Sequence, residues 1–145
     1  METSSTAQSS HKTVIAAAIF AAIAVAMGAY AAHGLAGRIE ALGYAEELSK
    51  RVGWFETAAR YQMYHALAAL LAIALTANAT ALKTSRLASY AFFLGIFLFS
   101  GSLYVMTFAP AEWNKLGAIT PLGGLAFITG WIILAYAAFR HQPSS

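Results

Sequence analysis

Tyr61, Gln62 and His65 stand three and four residues apart, the spacing that brings side chains to one side of a helix. Glu56 and Arg60 extend the same broad face by one turn. A phenol, an imidazole, a carboxylate and a guanidinium so arranged could relay protons, hold a small polar solute or a lipid headgroup, or simply bond one another. His33 would join them from the preceding apolar stretch, and Ser100, Ser102, Tyr104, Asn114 and Thr120 could approach from the two that follow. The expected arrangement is a polar pocket near one end of the fold, lined by His33, Glu56, Arg60, Tyr61, Gln62, His65 and Ser102. Its plainest use is structural: Glu56 pairs with Arg60 or Arg38, and both histidines donate to neighbours.

Sharper chemistries meet obstacles. Two histidines on adjacent helices could ligate haem, but the ligands must share one depth, and His65 lies about 15 Å along its helix from Phe55. Two imidazoles and one carboxylate lack the tight spacing of a metal site, and the chain has no cysteine for a thiolate ligand, a disulfide or a thiol nucleophile. Ser100-Gly101-Ser102 is no nucleophile elbow, because a helical hydroxyl usually bonds the carbonyl one turn back. Thr120-Pro121-Leu122-Gly123-Gly124 lacks the lysine and preceding strand of a phosphate loop. No catalytic residue, cofactor or metal is therefore expected.

The elements that must position these residues follow from where charge is missing. Of 145 residues 59% are apolar and only 10% charged, against about 25% charged in a soluble domain. Val14–Ala32, Ala66–Leu82, Leu87–Ala111 and Leu116–Phe139 hold no Asp, Glu, Lys, Arg or His, giving runs of 19, 17, 25 and 24 residues. Each is close to the roughly 20 residues that cross a bilayer as a helix. The sequence thus predicts an all-α integral membrane four-helix bundle, with spans at about 12–33, 55–78, 87–108 and 117–139. Residues 1–11 are expected as a disordered polar tail and 141–145 as a second tail. The first apolar run is longer than a signal-peptide core, so an uncleaved first helix is expected.

Between the first two spans, Leu48, Val52 and Phe55 recur at helical spacing, which predicts a short amphipathic helix at the interface with Trp54 as anchor. Lys83-Thr84-Ser85-Arg86 is expected as a tight basic turn, and Pro110 to Lys115 as a short interfacial loop. Ala24, Gly28 and Ala32 fall four apart on one face, and with Gly101, Gly123 and Gly124 are candidate helix-packing positions. Lys12, Lys83, Arg86 and Arg140 gather at the end that carries both termini; the density of the Lys83/Arg86 pair predicts cytoplasmic termini. The net charge of +3 is spread over helix ends, which points to membrane lipid and away from nucleic acid.

Four strings carry a resemblance: Gly28-Ala29-Tyr30-Ala31-Ala32-His33-Gly34-Leu35; Phe55-Glu56-Thr57-Ala58 with Tyr61-Gln62-Met63-Tyr64-His65-Ala66-Leu67; Phe99-Ser100-Gly101-Ser102-Leu103-Tyr104; and Leu116-Gly117-Ala118-Ile119-Thr120-Pro121-Leu122-Gly123-Gly124. In order and spacing the chain from Lys12 to Phe139 resembles the YgdD/YwdK family of small bacterial inner-membrane proteins. That resemblance implies a four-span protein of the bacterial inner membrane and supplies no substrate, cofactor or catalytic residue. The expected role is non-enzymatic: an accessory or assembly partner of a larger membrane complex, or a lipid-interacting scaffold, with a homo-oligomer open. A minimal transporter or proton-linked protein using Glu56, Tyr61 and His65, and a haem- or quinone-binding bundle, are the alternatives.

Overall fold

One helix buries a heptad. In the stretch Leu48–Ala74, Arg51, Phe55, Ala58, Gln62, His65, Ala69 and Ala72 are all buried, alternating in steps of four and three. That period lays a continuous stripe along one face, widened by the buried Ala59, Ala66 and Ala68, and the other residues between the stripe positions are partly or fully exposed. This helix is the centre of the fold. The computed structural model describes residues 2–74 and 79–140, and of 2–9 and 79–80 the backbone only.

The elements in chain order are α1 (Glu2–His33), α2 (Leu35–Ala41), a 3-10 turn (Ala45–Glu47), α3 (Leu48–Ala74), α4 (Ala79–Gly95), a π-helical turn (Ile96–Ser100), α5 (Gly101–Phe108), a second 3-10 stretch (Ala111–Ala118) and α6 (Thr120–Arg140). No strand occurs among the described residues. α1 packs along one side of α3; α4, the π turn and α5 pack along another; α6 lies against α4 and the π turn.

Among the described residues, three stretches are long and apolar enough to cross a membrane: Ser10–His33, Ala81–Phe108 and Ala111–Arg140. The described part of α3 does not join them on length and composition, since Arg60, Tyr61, Gln62 and His65 put polar atoms into its middle. Residues 75–78, at the end of the second expected span, and the expected C-terminal tail lie outside the described residues.

Several boundaries differ from the sequence expectation. α1 begins at Glu2, so helix replaces the expected tail. No glycine or proline precedes Gly28, and nothing stops the helix from propagating outward from its apolar span. Leu48, Val52 and Phe55 belong to the opening turns of α3 instead of a separate amphipathic helix. The short helix between the first two long ones is α2, whose Leu35 and Ile39 are fully buried. Lys83 to Arg86, expected as a turn, lie inside α4. α6 carries Pro121 in its first turn, where its missing N–H leaves no helical bond unmade.

α2 ends on Gly43, whose φ of +85° only glycine adopts without strain. There Tyr44 N–H donates to Ile39 O at 3.1 Å and Gly43 N–H to Glu40 O at 2.9 Å, closing α2 with a Schellman motif. The turn points the chain back toward α3.

Lipid removes the hydrophobic drive between helices, so close packing and side-chain bonds to carbonyls must hold them together. Phenylalanines of one helix rest on glycines of another: Phe127 over Gly95, Phe92 over Gly130, and the Phe99 backbone over Gly123. Of the expected packing positions, Gly123 lies against the Phe99 backbone and Ala24 is buried, whereas Gly28, Gly101 and Gly124 would meet nothing within 4 Å if a methyl were added, and Ala32 is exposed. Hydroxyls and one amide add struts. Ser100 Oγ donates to Ala58 O (2.9 Å), Ser89 Oγ lies 3.3 Å from Ala69 O, and Gln62 Nε2 donates to Phe20 O (2.9 Å).

Candidate functional site

Arg51 is the most deeply enclosed charge in the described structure, at 0% exposure. It occupies the stripe position one turn before Phe55, so the helix that buries Phe55 must bury it too. Its Nη1 donates to Met106 O, Thr107 O and Ala109 O at 3.1, 2.9 and 2.9 Å, and its Nε donates to Glu47 Oε2 at 2.7 Å. The three carbonyls lie at the C-terminus of α5, where helical partners run out and the dipole is negative. Tyr44 covers the guanidinium, with Cζ 3.6 Å from the ring centroid. A planar cation thus fastens α3, the turn after α2 and the end of α5 together. The signal in the sequence that marks Arg51 is its heptad register with Phe55, together with the Glu47–Arg51 spacing.

Glu47 is partly exposed and outside the apolar stretches. The Arg51 guanidinium, and Lys50 at 3.3 Å, hold its carboxyl below the usual range. A carboxyl lowered by folding contributes stability that is complete above its unfolded value of about 4.5 and is lost as pH falls through the lowered one. The unfolding midpoint in detergent is therefore expected to fall as pH drops below about 4.5. Glu47→Gln should flatten that slope; an unchanged slope would remove Glu47 from the account.

The expected polar pocket separates into three places. His65 is buried within a cage of rings, stacked on Phe127 with centroids 3.5 Å apart, and Phe92 and Trp131 complete the enclosure. Its Nδ1 lies 2.8 Å from Tyr61 O, and Trp131 Nε1 donates to its Nε2 at 3.3 Å. A carbonyl only accepts and an indole only donates, which makes this a neutral imidazole protonated on Nδ1. Both nitrogens are occupied, so neither is offered to a metal or haem iron. Gln62 shares the buried stripe and ties α3 to α1. Ser102 Oγ donates to Phe99 O and bonds Thr120 Oγ1 at 2.8 Å, linking α5 to α6.

The remaining members face elsewhere. His33 is exposed at the end of α1, Tyr61 is exposed with its ring stacked on Phe99, and Glu56 and Arg60 are exposed on the side of α3 turned from the stripe. Among the described residues the ion pairs are those of Glu47 with Lys50 and Arg51; Glu56 and Arg60 enter none.

A site that the sequence did not suggest opens between α1, α3 and α5. An apolar groove of about 560 Å³, with Arg38 of α2 and the following Leu42 at one end, adjoins a second of about 350 Å³ that reaches Gln62 and the π turn. Met27, Phe55 and Phe108 line both, so the two grooves share a wall. Tyr104 lines the inner part, and its hydroxyl is buried with no hydrogen-bond partner. Gly101 leaves room there, since a side chain at that position would enter open space.

Residues 27–124 match the family model described as "Protein of unknown function (DUF423)". The chain belongs to the DUF423 family. A DUF423 relative, a UPF0382 membrane protein of Haemophilus influenzae, is 43% identical over 81% of this chain and 86% of its own length. YwdK of Bacillus subtilis, also named a UPF0382 membrane protein, is 39% identical over 88% of this chain and 96% of its own. A UPF0382 membrane protein of Staphylococcus aureus is 40% identical over 88% and 94%. The resemblance read from the four strings is thus upheld, and this DUF423 chain is similar throughout to membrane proteins for which no enzyme family is indicated. No solved structure matches it.

Proposed function

We propose that the chain is a non-catalytic, four-span protein of the bacterial inner membrane that acts as a lipid-interacting scaffold, holding one anionic phospholipid in the groove between α1, α3 and α5. α3 is the fourth span: its Arg51, Gln62 and His65 face neighbouring helices along the stripe, so composition understates how well it tolerates lipid. α2 lies at the interface, and both termini are cytoplasmic, on the side of Lys12, Lys83, Arg86 and Arg140.

One observation carries the lipid reading: the groove is apolar along its length and has a cation, Arg38 of α2, among its lining residues. An acyl chain fits the wall of Met27, Phe55 and Phe108, and a phosphate meets the guanidinium. The inward polar groups favour a scaffold over a relay. His65, Gln62, Ser100 and Ser102 are each bonded to the protein itself.

The test is lipid analysis by native mass spectrometry of the protein extracted in mild detergent. One retained phospholipid, enriched in anionic headgroups over the bulk membrane, is expected. Gly101→Leu should fill the groove and abolish retention, and Arg38→Ala should remove the anionic preference. Recovery free of phospholipid, or with a quinone in its place, would overturn the proposal.

A further inference from the structure

Glu56 and Arg60 occupy an unusual depth. Gln62 is bonded to Phe20 O, and Phe20 stands about 15 Å along α1 from Ser10 and about 20 Å from His33, near the middle of that span. Measured from Gln62 toward the α2 end, the Arg60 backbone is displaced by about 3 Å and that of Glu56 by about 9 Å. The hydrocarbon extends about 15 Å on each side of its midplane. Both charged side chains therefore leave the helix inside the hydrocarbon, on the outer face of α3, and neither has an ionic partner within the described chain. Acyl chains cannot solvate them.

The surface around them is built for close approach. Across a shallow groove of about 390 Å³, α1 presents Gly28 and Ala32, and a side chain at position 28 would meet nothing. Tyr64 borders the groove on the α3 side.

We infer that this face is covered by a second copy of the chain, in a two-fold dimer whose axis runs along the membrane normal. Copies inserted in one orientation set their α3 helices parallel, as that axis requires. Glu56 then faces the partner's Arg60 with an offset of four residues, about 6 Å. Helical side chains lean toward the N-terminus, so each arginine reaches one turn back, and two reciprocal pairs form. Opposite charges four apart on one helix make the face complementary to itself. The inference rests on the four-span reading above, because the charges need a partner only if α3 lies in lipid.

The measurement is Förster transfer between two fluorescent fusions of the full chain in phospholipid vesicles, as protein is diluted into lipid. Transfer above the random-proximity level is expected, saturating as a dimer. Glu56→Arg and Arg60→Glu should each weaken dimerisation at least tenfold, and the double reversal should regain it. Gly28→Trp, whose Cβ meets nothing within 4 Å, projects its ring into the groove; it should also block the dimer while leaving the fold intact by circular dichroism. Monomeric wild type, single reversals that dimerise normally, or a double reversal that stays monomeric would each overturn the dimer. Leu67→Cys in the same vesicles reports on α3 separately. Protection from a water-soluble maleimide supports the span, and ready labelling sinks the four-span reading and the dimer with it.

Discussion

Arg51→Met is expected to destabilise the protein by about 3 kcal/mol or more, read as a large fall in its thermal midpoint in detergent. Methionine fills similar space but donates nothing, so Met106, Thr107 and Ala109 keep buried carbonyls without their strongest partner. Glu47 simultaneously loses its closest cation. Arg51→Lys restores the charge and not the fork: one ammonium cannot reach three carbonyls and a carboxylate while lying flat on Tyr44. It should recover only part of the loss. A methionine variant within about 0.5 kcal/mol of wild type would show that the end of α5 holds without this clamp.

Gly123→Ala carries the second large effect. The added Cβ would lie 2.4 Å from the Phe99 backbone nitrogen, and a backbone atom in a helix cannot swing aside. Relief requires α6 to move away from the π turn, which also disturbs the Phe127 ring stacked on His65. Overpacking of this kind costs about 1–3 kcal/mol, after alanine's better helix propensity has returned up to about 1 kcal/mol. Gly124→Ala is the internal control, since its Cβ meets nothing and only the propensity gain remains. If the two adjacent variants melt together, the close approach of α6 to the π turn is not what holds this contact.

The comparison of sequence with structure turns on phase. Absence of charge located three of the long apolar stretches, because desolvating a charge in lipid is costly wherever it faces. It could not place charges that point inward. At 100° per residue, Glu56 and Arg60 sit about 160° from Ala58, whereas Gln62 and His65 sit within about 40° of it. Grouping all of them on one stripe merged two opposite faces. Taking Phe55 as the anchor of the buried side would have separated them and drawn Arg51 inward. Gly95 and Gly130 were beyond reach for a different reason: a glycine's value lies in the ring opposite, and pairing Gly95 with Phe127 requires knowing how α4 and α6 are set against each other. The groove was equally hidden, as its walls are ordinary apolar residues from three helices.

The cross-links also have a direction in time. Gln62 reaches back to Phe20, Ser89 to Ala69, Ser100 to Ala58, and the carbonyls near Thr107 to Arg51. In each case the later-synthesised group finds its mate on the long helix made just before it. A nascent chain leaving the ribosome can therefore satisfy these polar groups as each new segment arrives, without storing them unpaired in the bilayer. The indole of Trp131, bonded to His65, and the hydroxyl of Thr120, bonded to Ser102, wait for the last segment and lock what has already been assembled.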